Sequence, residues 1–220
     1  MERYIFVLII IQNTIVIADV NYLEALGYSK NLSPATHTMI LGIKKLHELV
    51  KEINLVENLC DREVNNPEGA GFDLRLGEVY SISGAGFLGV EERETPQIEL
   101  LAKNDQTKSE RENSFTFKPG EYYLVKTIEK VNLPVTLSGI IFPRTTLFRS
   151  GLALMNGVVQ PGYCGELTFG LANLGKSDIT VSFGARVVHI TFHEVFGEGN
   201  QYRGQWMGGR VATDGKEVQI

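Results

Sequence analysis

From Phe72 onward the apolar residues come in short segments separated by glycine, proline and charge, and this texture constrains the fold more than any other feature. Phe72, Leu74 and Leu76 alternate with Asp73 and Arg75, the period of a strand with one buried face. Phe115 to Phe117, Tyr122 to Ile128, Leu137 to Phe142, Leu152 to Val159, Glu166 to Leu171, Ile179 to Phe183 and Arg186 to Val195 are further strand candidates, and Lys103 to Asn113 reads as a solvated loop. So many short strands with turn signals predict a mainly β fold, a sandwich, barrel or jelly roll. One stretch breaks the texture. After Met39, Ile43, Leu46, Leu49, Val50 and Ile53 recur at three- and four-residue steps, predicting an amphipathic helix with Lys44, Lys45, Glu48, Lys51 and Glu52 outside. Upstream, Val20 to Tyr28 suits a short helix and Asn31 to Thr38 a linker.

The 220 residues allow one main core. A net charge of -5 argues against general nucleic-acid binding, which needs a basic surface, but leaves room for a small anion held by a few arginines. The two cysteines, Cys60 and Cys164, form no CxxC pattern, which argues against a zinc site or disulfide framework and for a reducing, cytoplasmic location. The apolar start, Tyr4 to Ile11 and Ile15 to Ala18, is interrupted by Gln12-Asn13-Thr14 and falls short of the ~20 residues of a spanning helix. It lacks a basic start and an A-x-A site, so a membrane partner and an export signal are both disfavoured. A strand pairing with the body, or an extension, accounts better for its β-branched content.

Chemistry concentrates between Phe142 and Gly175. Arg144, Thr145, Thr146 and Arg149 place two guanidiniums about one helical turn apart with two hydroxyls between, a combination suited to phosphate. Thr145 or Thr146 capping a short helix, with surface arginines in ion pairs, is the plainer alternative. Further on, Gln160-Pro161-Gly162-Tyr163 joins two apolar runs. The last stretch, Gly197 to Ile220, combines six glycines with Tyr202, Arg203, Gln205, Trp206 and Arg210, and reads as an arm that orders over a ligand or a neighbouring subunit.

Several motifs in order give this pattern a context. GAGFDLRLG (Gly69 to Gly77), PRTTLFRSG (Pro143 to Gly151), GVVQPGYCGELTFGLAN (Gly157 to Asn173), the strand Gly184 to Phe192 and the arm Gln201 to Arg210 resemble the successive motifs of the dUTPase and dCTP deaminase superfamily. The resemblance implies a mainly β, distorted jelly-roll or barrel-like subunit with one N-terminal helix, divided into an extension (1–38), a β domain (39–196) and a closing arm (197–220). It also implies a homotrimer with active sites shared between subunits, and a deoxynucleoside triphosphate, dUTP or dCTP, as ligand. The triphosphate would carry Mg²⁺ and be held by Arg144, Thr145, Thr146 and Arg149, with Tyr202 and Gln205 from the arm. Val158, Val159 and Tyr163 would form the nucleoside pocket, with Tyr163 under the deoxyribose. No residue is expected to hold a metal directly.

The same resemblance shows three departures, the smallest being His189, near which dUTP diphosphatases often carry a phosphate-holding glutamine. The aspartate that would polarise the attacking water in a dUTP diphosphatase falls on Gln160, and a carboxamide orients water but takes no proton. The glutamate that would shuttle protons in dCTP deamination falls on Gly170. Hydrolysis of dUTP to dUMP and pyrophosphate, dCTP deamination, and nucleotide sensing without turnover therefore all stand as expectations. Asp73 reads as a buried structural carboxylate paired with arginine or amides. His189 and His193, roughly 13 Å apart along one strand, are too distant to share a metal, His37 and His47 look incidental, and Glu166 reads as structural.

Overall fold

In a computed structural model, residues 6–11, 14–19, 40–197 and 199–219 are described. The chain divides into two compact units, Met1–His37 and Thr38–Ile220. In the first, strands β1 (Phe6–Ile11) and β2 (Thr14–Asp19) pair antiparallel with each other, Leu8 opposite Ile17. The expected helix at Val20 to Tyr28, the linker and His37 lie outside the described residues.

The second unit starts with helix α1, Ile43–Ile53, where the apolar period predicts it. Leu46 is fully buried and Asn54 ends the helix in the left-handed conformation. After β3 (Val56–Glu57) and the one-turn helix α2 (Asp61–Asn65), the chain enters its longest strand, β4, Phe72–Ser83. The hairpin β5 (Phe87–Leu88) and β6 (Glu92–Glu94) follows, then β7 (Gln97–Lys103), the solvated turn, β8 (Ser114–Phe117), β9 (Tyr122–Asn132) and β10 (Leu137–Pro143). Helix α3 (Thr145–Arg149), β11 (Leu152–Met155), β12 (Cys164–Asn173), β13 (Ile179–Ser182), β14 (Arg186–Glu194) and the short β15 (Glu217–Val218) complete it.

The main sheet runs β10-β14-β4-β9-β12-β11, with β3 on β9 and β7 on β4. It curls into a nearly closed barrel around Phe72, Leu74, Leu76, Val125, Leu171, Ile190 and Phe192. Alternation builds most of this core, since the inward positions of β4, β9 and β12 are largely apolar; on β9, Thr127 and the fully buried Glu129 are the inward polar exceptions, Glu129 paired with Arg75. Closure comes at one seam, where Gly139 and Val159 exchange backbone hydrogen bonds of 2.9 Å in each direction. A Cβ at Gly139 would lie 3.0 Å from the Ile190 side chain and 3.2 Å from Val159, so glycine lets the seam draw together. The seam also corrects the strand expected from Leu152 to Val159. It stops at Met155, because Asn156 turns the chain by donating to the Ile141 carbonyl, which frees Val158 and Val159 to cross to β10.

Candidate functional site

Beside this seam lies a cavity of about 360 Å³. Its walls bring together the expected pocket residues Val158, Val159 and Tyr163, with Gln160 beside them and Thr168 and Leu124 across from them. Tyr163 is buried, and its hydroxyl donates to the Glu166 carbonyl at 2.6 Å. Burial pushes the Tyr163 phenol up to about 12, so it remains a neutral donor at physiological pH. No carboxylate lines the cavity among the described residues.

The arm supplies the remaining wall through Tyr202, Trp206, Arg210 and Val211. Its first half docks on the turn Pro161–Glu166. The Tyr202 amide donates to Pro161 O at 2.7 Å, and the Tyr202 ring meets Tyr163 edge-on at 5.5 Å. Gly165, at φ 138°, makes this approach possible, since a Cβ there would fall 2.5 Å from the Gly209 nitrogen. Gln205 faces away from the cavity wall and donates to Val218 O at 3.0 Å.

The expected phosphate cradle lies elsewhere on the chain surface. Thr145, Thr146 and Arg149 are exposed on α3, and none of the four cradle residues lines the cavity. Neither threonine caps the helix. Its N-cap is Arg144, with no side-chain cap bond, because the preceding strand delivers Arg144 in extended conformation and its guanidinium turns to Asp73.

Asp73 is the centre of a charged cluster that only partly shows in the sequence. Its side chain contacts Arg144, receives a 2.9 Å hydrogen bond from Arg186 and lies 2.8 Å from His189 Nδ1. Arg62 stands 3.9 Å away, and the fully buried Glu63 binds Arg62 at 2.7 Å while accepting from the Asp73 amide at 3.0 Å. Asp73 is therefore the paired structural carboxylate its sequence context predicts. Burial, then the positive charges of Arg186 and Arg62, hold Arg144 below the usual arginine value, the signature of a cation crowded by cations. Arg62 and Glu63 carry no motif signal, and Arg186, though it lies in the motif strand Gly184 to Phe192, meets Asp73 only through the fold.

The other singled-out residues have plain roles. His47 stacks on Phe72 at 5.7 Å and bonds the Glu63 carbonyl at 3.0 Å, and His193 pairs with Thr191 at 2.9 Å. Glu166 lies 3.6 Å from Lys130 and packs against Gly209 of the arm. Among the described residues, no group of three or more His, Cys, Asp or Glu side chains is placed to hold a metal, and no helix is long and apolar enough to cross a membrane. At Gly170 the space for a side chain is already filled. A Cβ there would fall 2.0 Å from the Tyr122 hydroxyl, which reaches over from β9.

Comparison with known proteins agrees with this architecture. Residues 40–195 match the family model described as dCTP deaminase-like. The chain belongs to that family. Its relatives carry both activities in their names. A probable deoxyuridine 5'-triphosphate nucleotidohydrolase of Methanothermobacter thermautotrophicus is 31% identical over 137 residues, 62% of this chain and 85% of that protein. A dCTP deaminase of Natronomonas pharaonis is 31% identical over 180 residues, 76% of this chain and 91% of that protein. A dUMP-forming dCTP deaminase of Dictyoglomus turgidum is 29% identical over 164 residues, 71% of this chain and 81% of that protein. Among solved structures, the 2'-deoxycytidine 5'-triphosphate deaminase of Agrobacterium tumefaciens shares the fold with a TM-score of 0.54 at 20% identity, over 72% of this chain and 49% of that one.

Proposed function

We propose that the protein binds a pyrimidine deoxynucleoside triphosphate and acts as a dUTP diphosphatase in nucleotide metabolism, releasing dUMP and pyrophosphate from dUTP and water. The observation that carries this reading is the cavity in which Val158, Val159, Gln160 and Tyr163 converge under Tyr202 and Trp206. Its volume and aromatic lining suit a nucleoside, and buried Tyr163 lines it where the family resemblance puts the residue under the deoxyribose. The triphosphate then extends to Arg144, Thr145, Thr146 and Arg149. These residues lie outside the cavity of their own chain, so a homotrimer in which a neighbouring copy supplies the cradle accounts for the separation.

Mg²⁺ enters with the nucleotide in this reading. Asp73, the carboxylate nearest the cradle, already spends its oxygens on Arg186, Arg144 and His189, which fits an ion carried by triphosphate oxygens better than one held by the protein. When bound, Mg²⁺ would neutralise phosphate charge there. Gln160 orients the attacking water through its carboxamide, and Arg144 and Arg149 stabilise charge on the leaving pyrophosphate. Deamination is disfavoured, because the position of the family glutamate is Gly170, which has no side chain to move a proton, and Tyr122 covers the space beside it.

A second reading, nucleotide sensing without turnover, is favoured by the same Gln160. Incubation with dUTP and Mg²⁺ separates the two. Pyrophosphate release above background supports the diphosphatase. Saturable binding without release, with release gained in Gln160→Asp, supports the sensor.

A further inference from the structure

The hairpin β5–β6 matches none of the nucleotide-binding motifs, yet it holds the arm at several points. Thr95, just past β6, lines the cavity itself. Its amide donates to Thr213 Oγ1 at 3.0 Å, the Thr213 amide donates to Thr95 Oγ1 at 3.0 Å, and the two hydroxyl oxygens lie 3.2 Å apart. This reciprocal pair ties the two segments as a backbone bridge would. Alongside it, β15 pairs with β6, Glu217 opposite Arg93, and the Gln219 amide donates to Glu91 O at 2.7 Å. Arg93 places its guanidinium carbon 5.5 Å from the centroid of the Trp206 ring. With a cation on one face of the indole, a flat ring in the cavity has the other.

Trp206 sits between two docks. On one side Tyr202 is fixed to Pro161 and Tyr163, and on the other Thr213 and β15 are fixed to the hairpin. Arg210, also a cavity wall, is tied within the arm to Glu217 and Asp214 at 3.1 Å each. We propose that Arg93 and Thr95 are positioning residues of the binding site, through which the β5–β6 hairpin clamps the arm over the cavity of its own chain and sets Trp206 as the stacking wall for the base.

The proposal rests on the nucleoside reading of the cavity, but half of its test does not. Trp206 is the only tryptophan, so its fluorescence reports the arm alone. The full chain is compared with Thr95→Val, Arg93→Ala and Arg93→Lys, first without ligand and then titrated with the non-hydrolysable α,β-imido analogue of dUTP. Without ligand, Thr95→Val and Arg93→Ala are expected to shift Trp206 emission to the red while the barrel melts at an unchanged temperature. Nucleotide affinity is expected to fall about tenfold in both, through faster dissociation, the loss of one or two contacts of ordinary strength. Arg93→Lys keeps a cation over the ring and is expected to recover most of the affinity. Unchanged emission and affinity in both variants would overturn the proposal, as would an affinity loss matched by a lower melting temperature. If the wild-type chain binds no nucleotide, the proposed function fails while the emission shift still decides whether the clamp exists.

Discussion

Tyr122 and Gly170 form a packing pair in which the phenol takes the space a side chain at Gly170 would need. A side chain at Gly170 must displace the phenol that now covers it. Gly170→Ala is expected to cost about 1–3 kcal/mol in thermal or denaturant unfolding, and Tyr122→Ala in the same chain is expected to recover most of that loss, a coupling that a double-mutant cycle measures. Arg149 gives the opposite test, because it is exposed on α3. Arg149→Ala is expected to leave the melting temperature within error and to weaken dUTP binding about tenfold or more while leaving deoxyuridine binding unchanged. At this scale the sequence was most legible where chain geometry is local. Glycine and proline around Tyr163 mark a turn, and that turn does line the cavity. Glu63, Arg93 and Thr95 are illegible, since the Asp73 amide lies 10 positions from Glu63 and Thr213 lies 118 from Thr95, and only the fold brings such partners together.

Elements were read from periodicity, and those with a clear period were placed well. α1 and β4, β9, β10, β12 and β14 occupy their expected stretches, because a buried face imposes a repeat of 3.6 or 2 on the sequence. β7 was missed. Its residues Leu100 and Leu101 are exposed, so no buried face imposes alternation on Gln97–Lys103. The arm was read as a flexible closing segment, and its docking on the hairpin was not visible, because the contacts are mainly backbone and hydroxyl groups with no apolar signal. Its hold has a pH dependence. Glu217 lies below the usual carboxylate range, chiefly because Arg210 bonds it and then because the Asp214 amide does. A carboxylate lowered in the folded state stabilises the docked arm fully above its unfolded value, and that contribution disappears as pH falls through the lowered one. Trp206 emission is therefore expected to stay constant from neutral pH down to the ordinary carboxylate range and to shift red below it, whereas Glu217→Gln should show the red shift already at neutral pH.

For the whole molecule, the separation of cradle and cavity is the main structural fact. In one chain Arg144, Thr145, Thr146 and Arg149 do not line the cavity that holds Tyr163 and Trp206, and under the proposed function a neighbouring copy would supply them. Light scattering is expected to give three times the chain mass, and a variant that breaks the assembly while staying folded is expected to lose triphosphate binding before it loses deoxyuridine binding. The resemblance to dUTPases and dCTP deaminases led to the fold correctly, because the motifs that carry it include three strands of the main sheet, Phe72 onward, Cys164–Asn173 and Arg186 onward. It did not decide between activities, because that choice rests on Gln160 and Gly170, where this chain departs from both patterns. The most direct test is calorimetric titration of the full chain with α,β-imido-dUTP and Mg²⁺ beside the corresponding ribonucleotide. The account predicts one saturable site per chain for the deoxynucleotide and binding at least tenfold weaker for the ribonucleotide, whose 2'-hydroxyl meets Tyr163. Equal binding of the two, or no heat from dUTP, dCTP or dTTP analogues at all, would contradict it.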